Sequence, residues 1–378
     1  MTLPPGMIGK IPIRNIWLLM LYASRLYREL PNRRTRGIEE NPDRLPDLVA
    51  EILTRATQRR IRRNLTLEFR RSQADLTRVR GRIDILRTER SGLLRKGKIA
   101  CSFEELTTDT PRNRLVKAAL TKLCSSVREE DLARRCRSLA AALGRAGVSD
   151  ETSTGMRSRS LRVAGRVNAE DRQMLAAAEL AFRLSLPAED LGRANLPAPG
   201  RDEAWARQLF EKAVGGFYDT VLGPRGWSVK RGKRIHWPIE GQTKTSRIDD
   251  ILPQMQTDII LESPPADAHD RGHRIVIDTK FTSLLKSGQY GAQVLKSGYI
   301  YQIYAYLRSQ ERDSDPGSLD SSGLLLHPSV DEDIHESAMI QGHRIHFATV
   351  DLAAESTAIR ARLIAIADKV AASPTDGQ

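Results

Sequence analysis

Hydrophobic positions along this 378-residue chain change their period several times, and each change marks an element. Residues 14–28 carry Ile16, Leu19, Met20 and Ala23 at helical spacing, and Leu45–Ile61 repeats it with Leu48, Ile52 and Ala56. The rhythm then switches to alternation. Leu65–Leu67–Phe69, Val79–Ile83–Ile85 around Gly81, and Ile99–Cys101–Phe103 each predict a strand. Thr110 and Pro111 open a helix, the threonine as cap and the proline where a missing N–H costs nothing. Leu115, Ala119 and Leu123 give its apolar stripe, and helical patterning continues through Leu132 and Leu139. Residues 145–166 are rich in Ser, Gly, Thr and Arg and predict a loop or hinge. Residues 168–185 predict a helix, and the Pro-rich residues 186–201 predict irregular chain.

From residue 202 the pattern changes. A helix carries Trp205, Leu209, Ala213 and Phe217, and Trp227–Trp237 alternates. Short apolar runs follow at Ile248–Leu252, Thr257–Leu261 and Arg274–Asp278, with a polar loop, Ser263–Gly272, before the last. Tyr299–Arg308 is helical, Leu324–His327 and Ile345–Val350 are strands, and a helix around Leu363 closes the series. The order predicts an α+β, mixed α/β chain: an N-terminal helical and small β domain, then a C-terminal α/β domain. The expected boundaries are 1–145, a linker 146–201, a domain 202–370 and a tail 371–378.

Composition narrows the class. Hydrophobic residues at 40% and charged residues at 28% give an ordinary globular balance. The apolar run Ile16–Ala23 is too short to span a bilayer and lacks a small-residue cleavage site, so it reads as a buried helix. Cys101, Cys124 and Cys136 have neither a disulfide framework nor zinc spacing, which points to a reduced, cytoplasmic protein without membrane association. The net charge of +13 is uneven: residues 51–100 hold 15 Arg/Lys against 5 Asp/Glu. That concentration suggests a polyanion or an acidic protein surface as partner, against the blander reading of a solvated basic face. Arg59, Arg60, Arg62, Arg63, Arg80 and Arg82 are its candidate contacts with DNA or a partner.

Chemistry concentrates in the second half. Asp258 precedes Ile259-Ile260-Leu261, and Asp278 ends Ile275-Val276-Ile277 with Lys280 two residues on. Strand side chains alternate, so Asp278 and Lys280 share a face and Thr279 points back. If the two runs pair, Asp258 falls beside Asp278. Two carboxylates plus the main-chain carbonyl of Thr279 offer hard oxygen ligands for Mg²⁺, which suits phosphodiester hydrolysis. Lys280 would hold the attacking water or neutralise charge on the phosphorane. The competing reading is an exposed Asp278–Lys280 ion pair, worth about 0–1 kcal/mol, with Asp258 as a turn residue. In the following helix, Ile300, Ile303, Tyr304 and Leu307 form a core stripe, with Tyr299, Gln302 and Tyr306 expected on another side; Gln302 could orient phosphate or water.

These motifs, in order, resemble McrC, the nuclease subunit of the McrBC modification-dependent restriction system. The resemblance runs from Ile11-Pro12-Ile13-Arg14-Asn15-Ile16 and Leu21-Tyr22-Ala23 through Gly81-Arg82-Ile83, Asp109-Thr110 and Asn113-Arg114. It is densest from Leu252-Pro253 and Thr257-Asp258 to Asp278-Thr279-Lys280 and Tyr301-Gln302. It covers roughly residues 8–125 and 202–352. It implies a PD-(D/E)xK, restriction-endonuclease-like C-terminal domain with Asp258 and Asp278 as metal ligands, Lys280 as the catalytic lysine and Gln302 in the next motif. Thr257 stands where such motifs carry proline. Glu211, on the domain's first helix, could supply a further acidic ligand. The resemblance also implies a McrB-like hexameric AAA+ GTPase as partner, bound through the N-terminal part and stimulated in GTP hydrolysis. The basic segment 51–100 would then meet either double-stranded DNA or the partner's pore. The sequence has no GxxxxGK[ST] loop, so GTP belongs to that partner. The expected function is therefore DNA cleavage in a 5-methylcytosine-type, GTP-dependent restriction complex. The alternatives are a non-catalytic activator or scaffold of an AAA+ NTPase and, more weakly, a plain basic nucleic-acid-binding protein.

Overall fold

The computed structural model describes the chain apart from residues 1–6, 9–10, 31, 151–168, 193–198, 240–243, 266–271, 283–284, 288–292, 330–332 and 373–378. It falls into two compact units, residues 1–45 with 187–378 and residues 46–186. Residues 1–45 thus group with residues 187–378 in one unit.

The larger unit is built on a six-stranded mixed sheet. Its strands are β1 (Ser228–Arg231), β2 (Ile259–Glu262), β3 (Arg274–Thr279), β4 (Ser322–Ser329), β5 (His335–Ile340) and β6 (His343–Asp351), in the spatial order β5-β6-β4-β3-β2-β1. The pairs β3–β4 and β4–β6 are parallel; β1–β2, β2–β3 and β5–β6 are antiparallel. The longer helices of this unit are α1 (Ile13–Tyr22), α2 (Pro199–Val221), α3 (Ser297–Gln310) and α4 (Ser356–Ala371). The mixed α/β class expected from the sequence is what the chain adopts.

The central strands are nearly continuous apolar runs because both faces are covered. Ile275, Val276, Ile277, Leu324, Leu325 and Leu326 are all buried. On one face Val276, Leu325, Ile345 and Phe347 pack with Ile303, Tyr306 and Leu307 of α3. Gly323 makes that approach possible: a Cβ there would stand 2.9 Å from Ile303 Cγ1. Elsewhere α1 crosses α2 closely enough that a Cβ on Gly216 would fall 2.0 Å from the Tyr22 carbonyl oxygen. Asn15 ties α1 to the chain after β6, its amide donating to the Leu352 and Ala354 carbonyls at 2.8 and 2.9 Å.

The smaller unit holds the helix Leu45–Arg63, a three-stranded antiparallel sheet and the helices Pro111–Leu123 and Glu130–Arg145. In the sheet, Ile99–Thr107 lies between Glu68–Leu76 and the short Arg82–Ile83. Gly81 turns at φ +68, and a Cβ there would meet the Ser102 carbonyl at 2.5 Å. Thr110 caps the helix Pro111–Leu123, accepting from the Asn113 amide at 3.2 Å.

Several expectations needed correction. The 14–28 helix is interrupted at Ala23–Ser24, where Ser24 caps a new helix, Arg25–Glu29. Ile85 starts a helix capped by Asp84 and is not a strand residue. The helix Ala169–Gly192 and the start of α2 occupy most of the stretch 186–201 read as irregular. Gly232, at φ +61, splits the Trp227–Trp237 alternation into β1 and a two-residue strand, Arg234–Ile235. β5 carried no signal because its pattern is exposed almost throughout. The expected hinge 145–166 and tail 371–378 lie mostly outside the described residues. Among the described residues no helix is long and apolar enough to cross a membrane.

Candidate active site

The ends of β2 and β3 meet as their apolar runs require. Ile277 pairs with Ile259, so the next residues outward are Asp278 and Asp258. Asp258 is held from both neighbours. Its carbonyl accepts the Gly232 amide at 2.9 Å, and its Oδ2 accepts the Thr279 amide at 2.7 Å and the Thr279 hydroxyl at 2.8 Å. The N–H and C=O of one strand residue point to the same side of the strand, so the Thr279 carbonyl is directed toward the Asp258 side as well. Thr257, where proline was expected, donates its own N–H to the Lys233 carbonyl at 3.0 Å, a bond proline could not make.

Asp278 is 1% exposed. Burial, reinforced by the nearby Asp258 and Glu211 charges and opposed by Lys280, pushes its carboxyl up to about 6. The Lys280 ammonium donates to Asp278 Oδ1 at 3.0 Å and lies 2.8 Å from Oδ2, off the line of a hydrogen bond. Oδ2 is thus a buried carboxylate oxygen that meets the same ammonium at close range without an aligned hydrogen bond. A carboxylate served by one ammonium keeps acceptor capacity for a further cation. Lys280 also donates to Gln302 Oε1 at 2.9 Å, and Gln302 Nε2 donates to the Tyr306 hydroxyl at 2.6 Å. The ammonium is fixed from two sides.

This geometry removes the surface ion-pair reading, because the Lys280 side chain is 15% exposed and Asp278 is enclosed. It also corrects the face assigned to Tyr306, which is 7% exposed and belongs to the core cluster under α3. Tyr306 was the residue missed; its signal was the i, i+4 spacing from Gln302, which puts the two side chains together on a helix. Glu211, on α2, is partly buried; burial and then Asp258 raise its carboxyl. It does not complete a three-carboxylate cluster, since among the described residues no three His, Cys, Asp or Glu side chains are grouped to hold a metal. The donor set that fits a hard divalent cation is therefore Asp258, Asp278 and the Thr279 carbonyl.

The arginine candidates lie in the smaller unit and differ among themselves. Arg59, Arg62, Arg63, Arg80 and Arg82 are exposed. Arg80 stacks its guanidinium 4.1 Å from the Phe103 ring centroid. Arg60 is engaged, donating to the buried Asp171 and to Thr66, each at 3.1 Å.

Comparisons with known proteins reach the same region of protein space. A family model described as McrBC 5-methylcytosine restriction system component matches residues 9–181. The type IV methyl-directed restriction enzyme EcoKMcrBC of Escherichia coli strain K12 is 25% identical over 365 residues, spanning 95% of this chain and 98% of that protein. The solved half-complex of Thermococcus gammatolerans McrB AAA+ hexamers with bound McrC is 14% identical, with TM-score 0.39, covering 94% of this chain and 76% of that one. The family model ends before Asp258; the longer alignment extends over most of the C-terminal half.

Proposed function

We propose, starting from the chain's similarity to McrBC restriction-system components, that it is the DNA-cutting subunit of a GTP-dependent, modification-dependent restriction complex. The observation that carries this reading is a buried carboxylate paired with a fixed ammonium, beside a second carboxylate, at the ends of neighbouring strands. Asp258, Asp278 and the Thr279 carbonyl would hold Mg²⁺. The metal would supply Lewis acidity toward the scissile phosphodiester and make a bound water more acidic.

The protein's own groups do the rest. Lys280 orients the attacking water or neutralises charge growing on the phosphorane, and it is preorganised for this by Asp278 and Gln302. Tyr306 occupies the Gln302 amide nitrogen and so turns Oε1 toward the ammonium. Thr279 locks Asp258 in place through two bonds on one oxygen. The partner in this reading is a McrB-like AAA+ GTPase hexamer, which binds GTP, is stimulated by this chain and recognises 5-methylcytosine in double-stranded DNA. A cytoplasmic setting follows from the same reading.

The test is reconstitution with the partner GTPase, Mg²⁺, GTP and methylated DNA. Asp278→Ala is expected to abolish cleavage while complex formation and GTPase stimulation persist. Unimpaired cleavage by that variant would remove the catalytic assignment. The match of the family model to residues 9–181 alone favours a second reading, a non-catalytic activator of the GTPase. That reading predicts no Mg²⁺-dependent cutting by the wild-type complex.

A further inference from the structure

Beside the proposed centre lies a second cation that the reaction so far does not use. Tyr299, in the first turn of α3, packs partly buried against the core cluster, as does Leu295 just before the helix. Between them Lys296 extends its ammonium to 5.6 Å from the Tyr299 ring centroid. The Lys280 ammonium stands 5.2 Å from the same ring. One aromatic ring therefore serves two ammonium groups. The Tyr299 hydroxyl is 3.2 Å from Thr282 Oγ1, and the ring is backed by His327 at 5.7 Å between centroids. The His327 Nδ1 sits 2.8 Å from the Thr282 carbonyl, which only a protonated Nδ1 can satisfy, and its buried Nε2 has no partner.

Charge is unbalanced here. Lys280 has Asp278, but among the described residues no carboxylate forms an ion pair with Lys296. Both ammonium groups act on His327: after burial, they help to hold the imidazole neutral, down to about 4. With Lys280 paired to Asp278 and a neutral histidine behind the ring, the Lys296 ammonium is the charge that an anion would complete. The anion that must pass this place in the proposed reaction is the backbone of the strand being cut.

We propose that Lys296, aimed by the Tyr299 ring, anchors a backbone phosphate adjacent to the scissile one, so that it positions the DNA strand while Lys280 serves the reacting phosphate. This rests on the nuclease reading, and its test must separate the two. DNA binding is measured on the full complex in an Asp278→Asn background, which leaves the DNA intact, over a range of salt concentrations. The Lys296→Gln variant keeps most of the side chain's length and loses its charge. It is expected to lower the slope of log affinity against log salt by about one, the counterion released at one phosphate. Lys296→Arg should restore the slope. Tyr299→Leu, which removes the ring, should behave like Lys296→Gln, and Tyr299→Phe should behave like the parent. In the cleaving background the same loss should appear as a raised KM with kcat nearly kept. An unchanged salt slope in Lys296→Gln overturns the anchor, even if kcat falls, since Lys296 would then act only through Lys280. Persistent cleavage in the Asp278→Asn complex would instead overturn the nuclease reading, and the slope measured on uncut DNA in Mg²⁺-free buffer would still decide the anchor.

Discussion

Lys280→Met is the substitution whose energetic consequence can be worked furthest. In the folded protein Asp278 is 1% exposed and its carboxyl is raised to about 6, against about 4 in an unfolded chain. A carboxylate raised on folding favours the folded state below its unfolded value and loses that contribution as pH rises through its folded value. A rise of that size corresponds to a penalty of about 3 kcal/mol, fully developed above pH 6. Lys280 is the group that opposes the rise. Without it, the carboxyl climbs further and the charged form at pH 8 is buried without a counter-ion. Breaking a buried pair in this way costs about 3–5 kcal/mol. At pH 5 Asp278 is largely neutral in both proteins, and only packing and the Gln302 bond are lost, about 1–2 kcal/mol. His327 moves the comparison the same way, because removing Lys280 eases its protonation. The assay is denaturant unfolding of wild type and variant in EDTA at pH 8 and pH 5. The destabilisation should be larger at pH 8 by on the order of 2 kcal/mol. Equal values at the two pH values would refute the claim that Lys280 compensates a buried Asp278 charge.

Other outcomes follow from the same geometry. Tyr306→Phe frees the Gln302 amide, and a loss of one positioning hydrogen bond should lower kcat about tenfold with little change in unfolding midpoint, read by cleavage and calorimetry. Gly323→Ala drives a Cβ against Ile303 and Leu307, so thermal unfolding should show about 1–3 kcal/mol of overpacking. His346 is buried with both ring nitrogens unpartnered, and burial holds it, like its neighbour His335, down to about 4. A histidine depressed on folding contributes stability above its unfolded value near 6.5 that is lost as pH falls toward 4. His346→Phe should therefore flatten the acid limb of stability between those values, measured by unfolding across a pH series.

How much was legible follows from what each signal depends on. The apolar runs of β2, β3, β4 and β6 were readable because buried strands carry uniform hydrophobicity, and that alone brought Asp258 and Asp278 to the same edge. Strand alternation placed Asp278 and Lys280 together for the same local reason. β5 was invisible because an edge strand with exposed residues has no apolar face to announce it. Tyr306 was misassigned because its ring serves the core while its hydroxyl serves Gln302, and a binary pattern grants a residue only one side. The break at Ser24 hid inside a helical period, since a cap within an apolar run leaves the spacing intact. That residues 1–45 pack with 187–378 depends on Gly216 having no Cβ to meet the Tyr22 carbonyl and on Asn15 reaching Leu352, contacts between distant positions that no local window contains.

That long-range closure has a consequence for biosynthesis. Helix α1 leaves the ribosome before both surfaces that bury it, Gly216 on α2 and the Leu352–Ala354 turn. Until both have emerged its apolar side waits uncovered. The larger unit thus reaches its finished shape only once that turn has emerged, a delay written into chain topology.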